Sequence, residues 1–287
     1  MAAVPTVRQR RLGAELRRLR EAQGLTAEEI ASRLAWSTSK ISRIENARIG
    51  ARVSDVRLLL ELYKVEEHHM GEILALAQAA TERGWWAQYQ DSLTKEFAAF
   101  VALEDEASRA FNYGTYTVPG LLQCEPYARS IIRSNSAVVP NMTPRDVDRR
   151  VHVRKKRQEV LHREQALHFA TVIDESVLMR LIDSRATMRA QLAFLIEVSE
   201  LPNVDIRVIS LDAPREPVFS ESFTLLEFSP AYDVQFPDLL YIDNVQAVEF
   251  VDDKITYPFR RSWEQFRESA MSPEDSIERI ARAVRDY

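Results

Sequence analysis

Apolar residues in the first part of the chain recur every three or four positions, the spacing that places them on one face of an α-helix. Leu12, Leu16 and Leu19 form such a stripe on a first helix, which Gly24 is suited to end. Three more helices are predicted after residues of the types that cap helix N-termini, Thr26, Ser37 and Ser54. A longer helix is predicted over residues 66–83. The pattern therefore predicts five consecutive helices.

Beyond residue 84 the pattern changes, and helical stripes mix with short runs rich in β-branched and aromatic residues. Strands are predicted over residues 167–173, 204–210, 223–228 and 239–243. Helices are predicted over residues 97–113, 127–134, 144–162, 188–201, 258–270 and 273–287, and a loop over 136–143. The sequence therefore predicts a mostly α fold, with an N-terminal five-helix domain and a larger α+β C-terminal domain that holds a small sheet. The predicted divisions are residues 1–66, a connector helix at 67–83, and 84–287.

Charge is distributed unevenly along the chain. Residues 1–65 hold 13 Lys and Arg against 7 Asp and Glu, a net charge of +6, and the whole chain of 287 residues carries −5. The rest of the chain therefore carries a net charge of −11. A basic head on an acidic body is expected where only one domain meets phosphate groups, although a basic face with no such role gives the same count.

Composition narrows the classes of protein. The single cysteine, Cys124, excludes an internal disulfide and a zinc site built from a cysteine cluster. No apolar run approaches the roughly 20 residues of a membrane span, and the N-terminus lacks the pattern of a signal peptide. We therefore expect a cytoplasmic, nucleoid-associated protein with no membrane contact.

Few residues suggest catalysis. Asp174 and Glu175 follow a predicted strand, where they could form a catalytic carboxylate pair or simply end the strand and cap the next helix. The five histidines show no metal-ligand spacing, and no phosphate-binding glycine loop or nucleophile elbow is present. The sequence predicts no enzymatic activity, no cofactor and no metal.

Two further clusters allow two interpretations each. Trp85, Trp86 and Tyr89 could form a recognition patch for a partner or pack as a hinge between domains. The cationic run from Arg145 to Arg157 could contact DNA or an acidic ligand, or could be a solvated helix face. The sequence does not decide between them.

The segment from Thr26 to Asn46 has the spacing of a helix, a tight turn at Ala35 and Trp36, and a second helix. In a helix-turn-helix, the second helix lies in the major groove of double-stranded DNA, with its N-terminal residues at the base edges. Small polar and cationic side chains are left on its outer face, namely Ser37, Thr38, Ser39, Lys40 and Arg43. These residue types suit base edges and phosphates. The alternative is an amphipathic helical hairpin with no role in DNA binding.

The stretch Ile41-Ser-Arg-Ile-Glu-Asn46 resembles the end of the recognition helix in the Xre/Cro/phage-repressor family. The resemblance implies base contacts from Thr38, Ser39 and Arg43. It also implies phosphate contacts near Asn46 and Arg48.

The same family often pairs an arginine of the first helix with the glutamate that ends the recognition helix, and Arg20 and Glu45 match those positions. The chain departs from the family at Ala35 and Ala47, where glycine is common. If either position requires a positive φ, alanine costs about 1–2 kcal/mol there.

The rest of the chain resembles the C-terminal domain of WhiJ-like actinobacterial regulators. The matching segments include Gly84-Trp-Trp86, Val118-Pro-Gly-Leu-Leu-Gln123, Tyr127-Ala-Arg129, Leu201-Pro-Asn-Val204 and Pro273-Glu-Asp-Ser276. The resemblance implies a regulator of development or secondary metabolism. It also implies a small partner protein encoded nearby, in an antitoxin-like arrangement.

We therefore expect a homodimeric transcription regulator whose activity a small partner protein modulates. Three alternatives stay open: a repressor that senses a small molecule, an enzyme with a DNA-binding head, and an antitoxin that acts mainly by neutralising its partner.

Overall fold

The computed structural model describes residues 5–82, 84–89, 91–134, 142–213, 221–232, 234–242, 248–250 and 253–287. The chain divides into two compact units that interleave along the sequence. The first unit comprises Met1–Gln90, Phe97–Glu106 and Phe228–Phe236. The second comprises Asp91–Glu96, Ala107–Glu227 and Pro237–Tyr287. The predicted divisions at residues 66 and 83 stay predictions.

The first unit contains five successive helices at its N-terminus. They are α1 (Val7–Ala22), α2 (Ala27–Leu34), α3 (Thr38–Glu45), α4 (Val53–Leu62) and α5 (Glu67–Ala79). A short 3-10 helix at Trp85–Tyr89 and most of α6 (Lys95–Glu106) also belong to this unit. The predicted cap at Ser54 is wrong, because α4 begins at Val53 and has no side-chain cap.

The core of this unit is apolar and continuous across the five helices. Its fully buried members include Leu16, Ile30, Ile41, Leu60 and Leu76. Complete burial of such a side chain stabilises the folded state by about 1.5–3 kcal/mol. The apolar stripes read from the sequence are therefore the faces that hold the five helices together.

A distant segment joins the same core. Val234 is 2% exposed and packs within the cluster formed by α1–α5. The buried guanidinium of Arg11 on α1 donates to the carbonyls of Ser229 and Val234 at 3.1 and 3.3 Å. Burial lowers the pKa of Arg11. The segment Phe228–Phe236 is therefore part of the first unit, although it follows Arg11 by more than 200 residues.

The second unit is built on a mixed six-stranded sheet with the order β3-β2-β1-β4-β5-β6. The strands are β1 (Arg109–Gly114), β2 (His168–Asp174), β3 (Val204–Ile209), β4 (Phe223–Glu227), β5 (Leu239–Ile242) and β6 (Val248–Phe250). β1, β2 and β3 run parallel, whereas β1-β4-β5-β6 is antiparallel. The predicted fold class is confirmed.

Helices accompany the sheet: α7 (Glu125–Ser134), α8 (Pro144–Gln158), α9 (Glu175–Met179), α10 (Arg185–Val198), α11 (Asp253–Ser269) and α12 (Pro273–Asp286). α9 and α10 connect β2 to β3. Ser272 caps the N-terminus of α12, since its hydroxyl accepts from the Asp275 amide.

Two predictions about this unit need correction. The last part of the helix predicted over 97–113 is wrong, because α6 ends at Glu106 and residues Arg109–Gly114 form the strand β1. The short strand β6 had no counterpart in the sequence pattern. Most of the predicted loop 136–143 and the last residue of the predicted strand 239–243 lie outside the described residues.

The turn at residues 118–123 is a packing element. Its backbone carbonyls accept from two glutamine side chains: Gln158 bonds Leu121, and Gln191 bonds Leu122 at 2.7 Å. Gln123 is 2% exposed, and its amide donates back to the carbonyl of Val118. Buried carbonyls without such donors would be costly, so the glutamines are required by the turn.

Candidate nucleic-acid interface

The helix-turn-helix predicted from the sequence is present as α2, a tight turn and α3. Thr26 and Glu29 cap each other's backbone amides at the start of α2. The Glu29 amide donates to the Thr26 hydroxyl at 3.2 Å, and the Thr26 amide donates to the Glu29 carboxylate at 2.8 Å. The hydroxyl of Ser37 accepts from the Lys40 amide at the start of α3. Ile30 and Ile41 are fully buried between the helices. The capping residues and the apolar spacing therefore fix where each helix begins and which face it buries.

Two alanines beside the helices of this motif adopt the left-handed conformation. Ala35 in the turn and Ala47 after α3 each have φ of 52°. A left-handed non-glycine residue costs about 1–2 kcal/mol, so the strain expected from the sequence applies at both positions. The turn is nevertheless closed by a bond of 2.8 Å from the Trp36 amide to the Ala31 carbonyl.

α1 holds the C-terminal end of α3 in place. Arg20 donates to both carboxylate oxygens of Glu45, at 2.7 and 3.0 Å, and to the carbonyl of Leu25 at 2.7 Å. These hydrogen bonds to Glu45 raise the pKa of Arg20. The pairing that the family resemblance implied is confirmed.

A glycine allows the close approach of the two helices. A Cβ atom on Gly13 of α1 would lie 2.6 Å from the carbonyl oxygen of Glu45 and 2.9 Å from that of Ile44. Both contacts are with backbone, which cannot rotate away. The end of α3 therefore rests directly on the backbone of α1.

The outward side of α3 carries most of the predicted contact residues. Those that are exposed are Ser37, Thr38, Ser39, Arg43, Asn46 and Arg48. The Arg43 guanidinium donates at 3.3 Å to the carbonyl of Ser39, one turn earlier. The Asn46 amide nitrogen donates to the carbonyl of Ser42 at 2.7 Å. Ser42 itself is exposed on the same helix and was not among the predicted residues, although its spacing from Ser39 could have indicated it.

Lys40 differs from the other predicted residues because its charge is engaged within the chain. Its Nζ lies 2.9 Å from the carboxylate of Asp55 on α4 and 3.4 Å from the ring centroid of Trp36. Its side chain is only partly exposed. The structure therefore ties the start of α3 to α4 through Lys40.

The carboxylates that could have been catalytic have structural partners. Asp174 caps α9 by accepting from the Ser176 amide, as one sequence interpretation predicted. Glu175 accepts from the Leu211 amide, Ser210 and Arg279. Burial alone would raise the pKa of the Glu175 carboxyl, but these hydrogen bonds lower that pKa below its ordinary value. Within the described residues, no cluster of three or more metal-ligating side chains occurs.

The other clusters are also engaged within the chain. Trp86 is buried against α6, and the Trp85 indole donates to Asp105, which favours packing for these two residues. In the cationic run of α8, Arg150 bonds the carbonyl of Ser92, and Arg154 bonds the side chain of Gln123 at 2.8 Å.

No helix in the described part of the chain is long and apolar enough to cross a bilayer.

Comparison with protein-family models gives two matches. Residues 11–73 match a helix-turn-helix domain, which covers α2, α3 and the helices around them. Residues 97–282 match a domain of unknown function, DUF5753. No match was found among curated proteins or among solved structures. The first match supports a DNA-binding regulator. Since the second covers more than half of the chain, this protein belongs to the DUF5753 family and carries a helix-turn-helix domain at its N-terminal end.

Proposed function

We propose that this protein is a sequence-specific transcription regulator that reads double-stranded DNA with α3. The observation that carries the proposal is the exposed outer face of α3, on a helix whose inner face is buried and whose C-terminal end is clamped to α1. A recognition helix must be held rigidly while its polar face stays free, and this arrangement meets both needs.

We assign roles by side-chain chemistry. Thr38, Ser39 and Arg43 contact base edges, since arginine can bond guanine through two donors and hydroxyls can donate or accept. Asn46 and Arg48 contact phosphates. We also assign Lys40 to the phosphate contacts. Its ammonium group must first leave the carboxylate of Asp55 to reach DNA.

The finer features of the proposal rest on general arguments and on resemblance. A single helix-turn-helix buries little surface on DNA, so we propose a homodimer on paired half-sites. The resemblance to WhiJ-like regulators supports a role in development or secondary metabolism and control by a small partner protein. We propose no enzymatic activity, since Asp174 and Glu175 serve the fold.

The test is selection of genomic DNA fragments by the purified full-length protein. The wild type should enrich fragments that share a palindromic motif. The Thr38/Ser39/Arg43→Ala variant should lose this enrichment, whereas a control with three exposed α5 residues replaced, Glu67/His68/Gln78→Ala, should retain it. Equal enrichment by both variants would refute reading through α3.

Separate single variants distinguish base contacts from phosphate contacts. Arg43→Ala should cost about 1–3 kcal/mol of specific binding and relax discrimination at one base pair. Arg48→Ala should weaken binding to all sequences and lower the slope of log affinity against log salt by about one. Titrations on operator and random duplexes at several salt concentrations measure both. Equal losses on both duplexes for both variants would contradict the division of roles.

The partner hypothesis has its own test. Affinity purification of the tagged protein from its native cells should recover a small protein, and adding that protein should change the affinity for the selected DNA. Recovery of no such protein, together with unchanged DNA affinity when the product of a neighbouring gene is added, would refute it.

A further inference from the structure

The second unit contains an open cleft that none of the proposed functions uses. It lies at the amino-terminal ends of the three parallel strands, whose first residues Arg109, His168 and Val204 line it. Trp263 and Arg267 of α11 form the opposite side. The volume is about 260 Å³. Ligand pockets in proteins range from about 300 Å³ upwards, so this cleft suits a small molecule of one or two rings.

Aromatic rings form part of the cleft wall. Phe111 of β1 and Trp263 lie with their ring centroids 4.6 Å apart, and both line the cleft. Trp263 is held rigidly, because its indole nitrogen donates to the carbonyl of Asn112 at 3.2 Å. The two ring planes are tilted by 54°, so together they form an angled apolar wall against which another ring can pack.

Two guanidinium groups at the cleft have unused donors. Arg109 and Arg267 make no hydrogen bond to any described residue, and their closest carboxylate oxygens, on Glu227 and Asp205, lie at 3.6 and 3.8 Å. Arg109 lies 5.6 Å from the ring centroid of Phe111, and Arg267 lies 5.8 Å from that of Trp263. Each cation is therefore positioned beside one of the two rings.

The neighbouring carboxylates are satisfied by other arginines. Asp205 accepts from Arg207 at 3.2 Å. Glu227 pairs with Arg260, which also bonds Asp238 at 2.6 Å. An anion that enters the cleft can therefore take donors from Arg109 and Arg267 without stripping either carboxylate of its partner.

We propose that this cleft binds a small aromatic carboxylate. The ring of the ligand packs against the angled wall of Phe111 and Trp263, and its carboxylate accepts hydrogen bonds from Arg109 and Arg267. Charge-assisted bonds from a guanidinium to a carboxylate are among the stronger polar contacts in proteins, and the apolar wall adds shape selection. This site is independent of DNA binding, so failure of either proposal leaves the other intact.

The test uses calorimetric titration of the full-length protein with 2-naphthoate, its uncharged analogue 2-naphthamide, and acetate. We expect saturable binding of 2-naphthoate, with at least about tenfold weaker binding of the other two, because each lacks one half of the interaction. Arg109→Gln and Arg267→Gln should each weaken 2-naphthoate by at least about tenfold. Arg261→Gln, at an exposed position of the same helix outside the cleft, should leave the affinity unchanged.

Four results would overturn the proposal. Two concern the charge: equal affinity for the acid and the amide, and equal weakening by Arg261→Gln and Arg267→Gln. The other two are the absence of binding at millimolar 2-naphthoate, and an affinity for acetate as high as for 2-naphthoate, since the rings would then have no role. The comparison of ligands on the wild type needs no variant, so a folding defect in a variant would not obscure the outcome.

Discussion

Replacement of Glu45 by alanine is expected to lower the free energy of unfolding of the first unit by about 3–5 kcal/mol, the cost of breaking a buried ion pair from one side. The side chains of Arg20 and Glu45 are only 12% and 6% exposed, so the guanidinium left behind would be poorly hydrated. A negative charge in the last turn of a helix interacts unfavourably with the helix dipole. Glu45 is therefore not there to stabilise α3 as an isolated helix. Its role is to fix α3 on α1.

Glu21→Ala is the matched control. Glu21 also lies near Arg20, at 3.4 Å, but its side chain is 52% exposed and screened by solvent, so its loss should destabilise the unit far less than the loss of Glu45. The double variant Arg20→Met/Glu45→Met should cost less than Glu45→Ala alone, since no charge is left without its partner. Urea unfolding followed by circular dichroism measures all three. A Glu45→Ala variant as stable as Glu21→Ala would show that the pair does not hold α3.

The local parts of the structure were predictable because their causes are local. The caps at Thr26, Ser37 and Ser272 each satisfy amides within three residues, and the apolar stripes of α1–α3 follow the helical repeat. The outward position of Arg43 follows from the same repeat. The sequence therefore contains the helix-turn-helix and most of its exposed polar face.

The central strand β1 was not predictable in the same way. It lies between β2 and β4 and is covered on both faces, so Ala110, Asn112 and Tyr113 are all buried. A strand buried on both faces lacks the alternation of polar and apolar residues that identifies a half-exposed one. With helix-forming residues before it, the segment reads as the continuation of α6.

Contacts between distant residues account for what the sequence left open. The engagement of Lys40 with Asp55 depends on how α4 packs beside α3. The anchoring of the segment after β4 by Arg11 joins residues more than 200 positions apart. The cleft at Arg109 and Arg267 combines the ends of three strands with a later helix. Neither periodicity nor a short motif encodes any of these.

Gly13→Ala is the second substitution expected to have a large effect, a loss of about 1–3 kcal/mol in the free energy of unfolding through overpacking. Within an isolated helix the same change would be favourable, because alanine has the higher helix propensity. The added methyl group would instead meet the carbonyl oxygens of Glu45 and Ile44, at 2.6 and 2.9 Å. α3 would have to move away from α1, which would also strain the bonds between Arg20 and Glu45.

Gly71→Ala on α5 provides a control with the same chemistry and the opposite expected sign. A Cβ atom at Gly71 meets nothing within 4 Å, so the change should stabilise the protein by about 0.5–1 kcal/mol. If α3 is the reading helix, Gly13→Ala should also weaken specific DNA binding, whereas Gly71→Ala should not. Unfolding and DNA titrations of the two variants decide the matter. Stabilisation by both substitutions would mean that α1 and α3 do not pack on each other at Gly13.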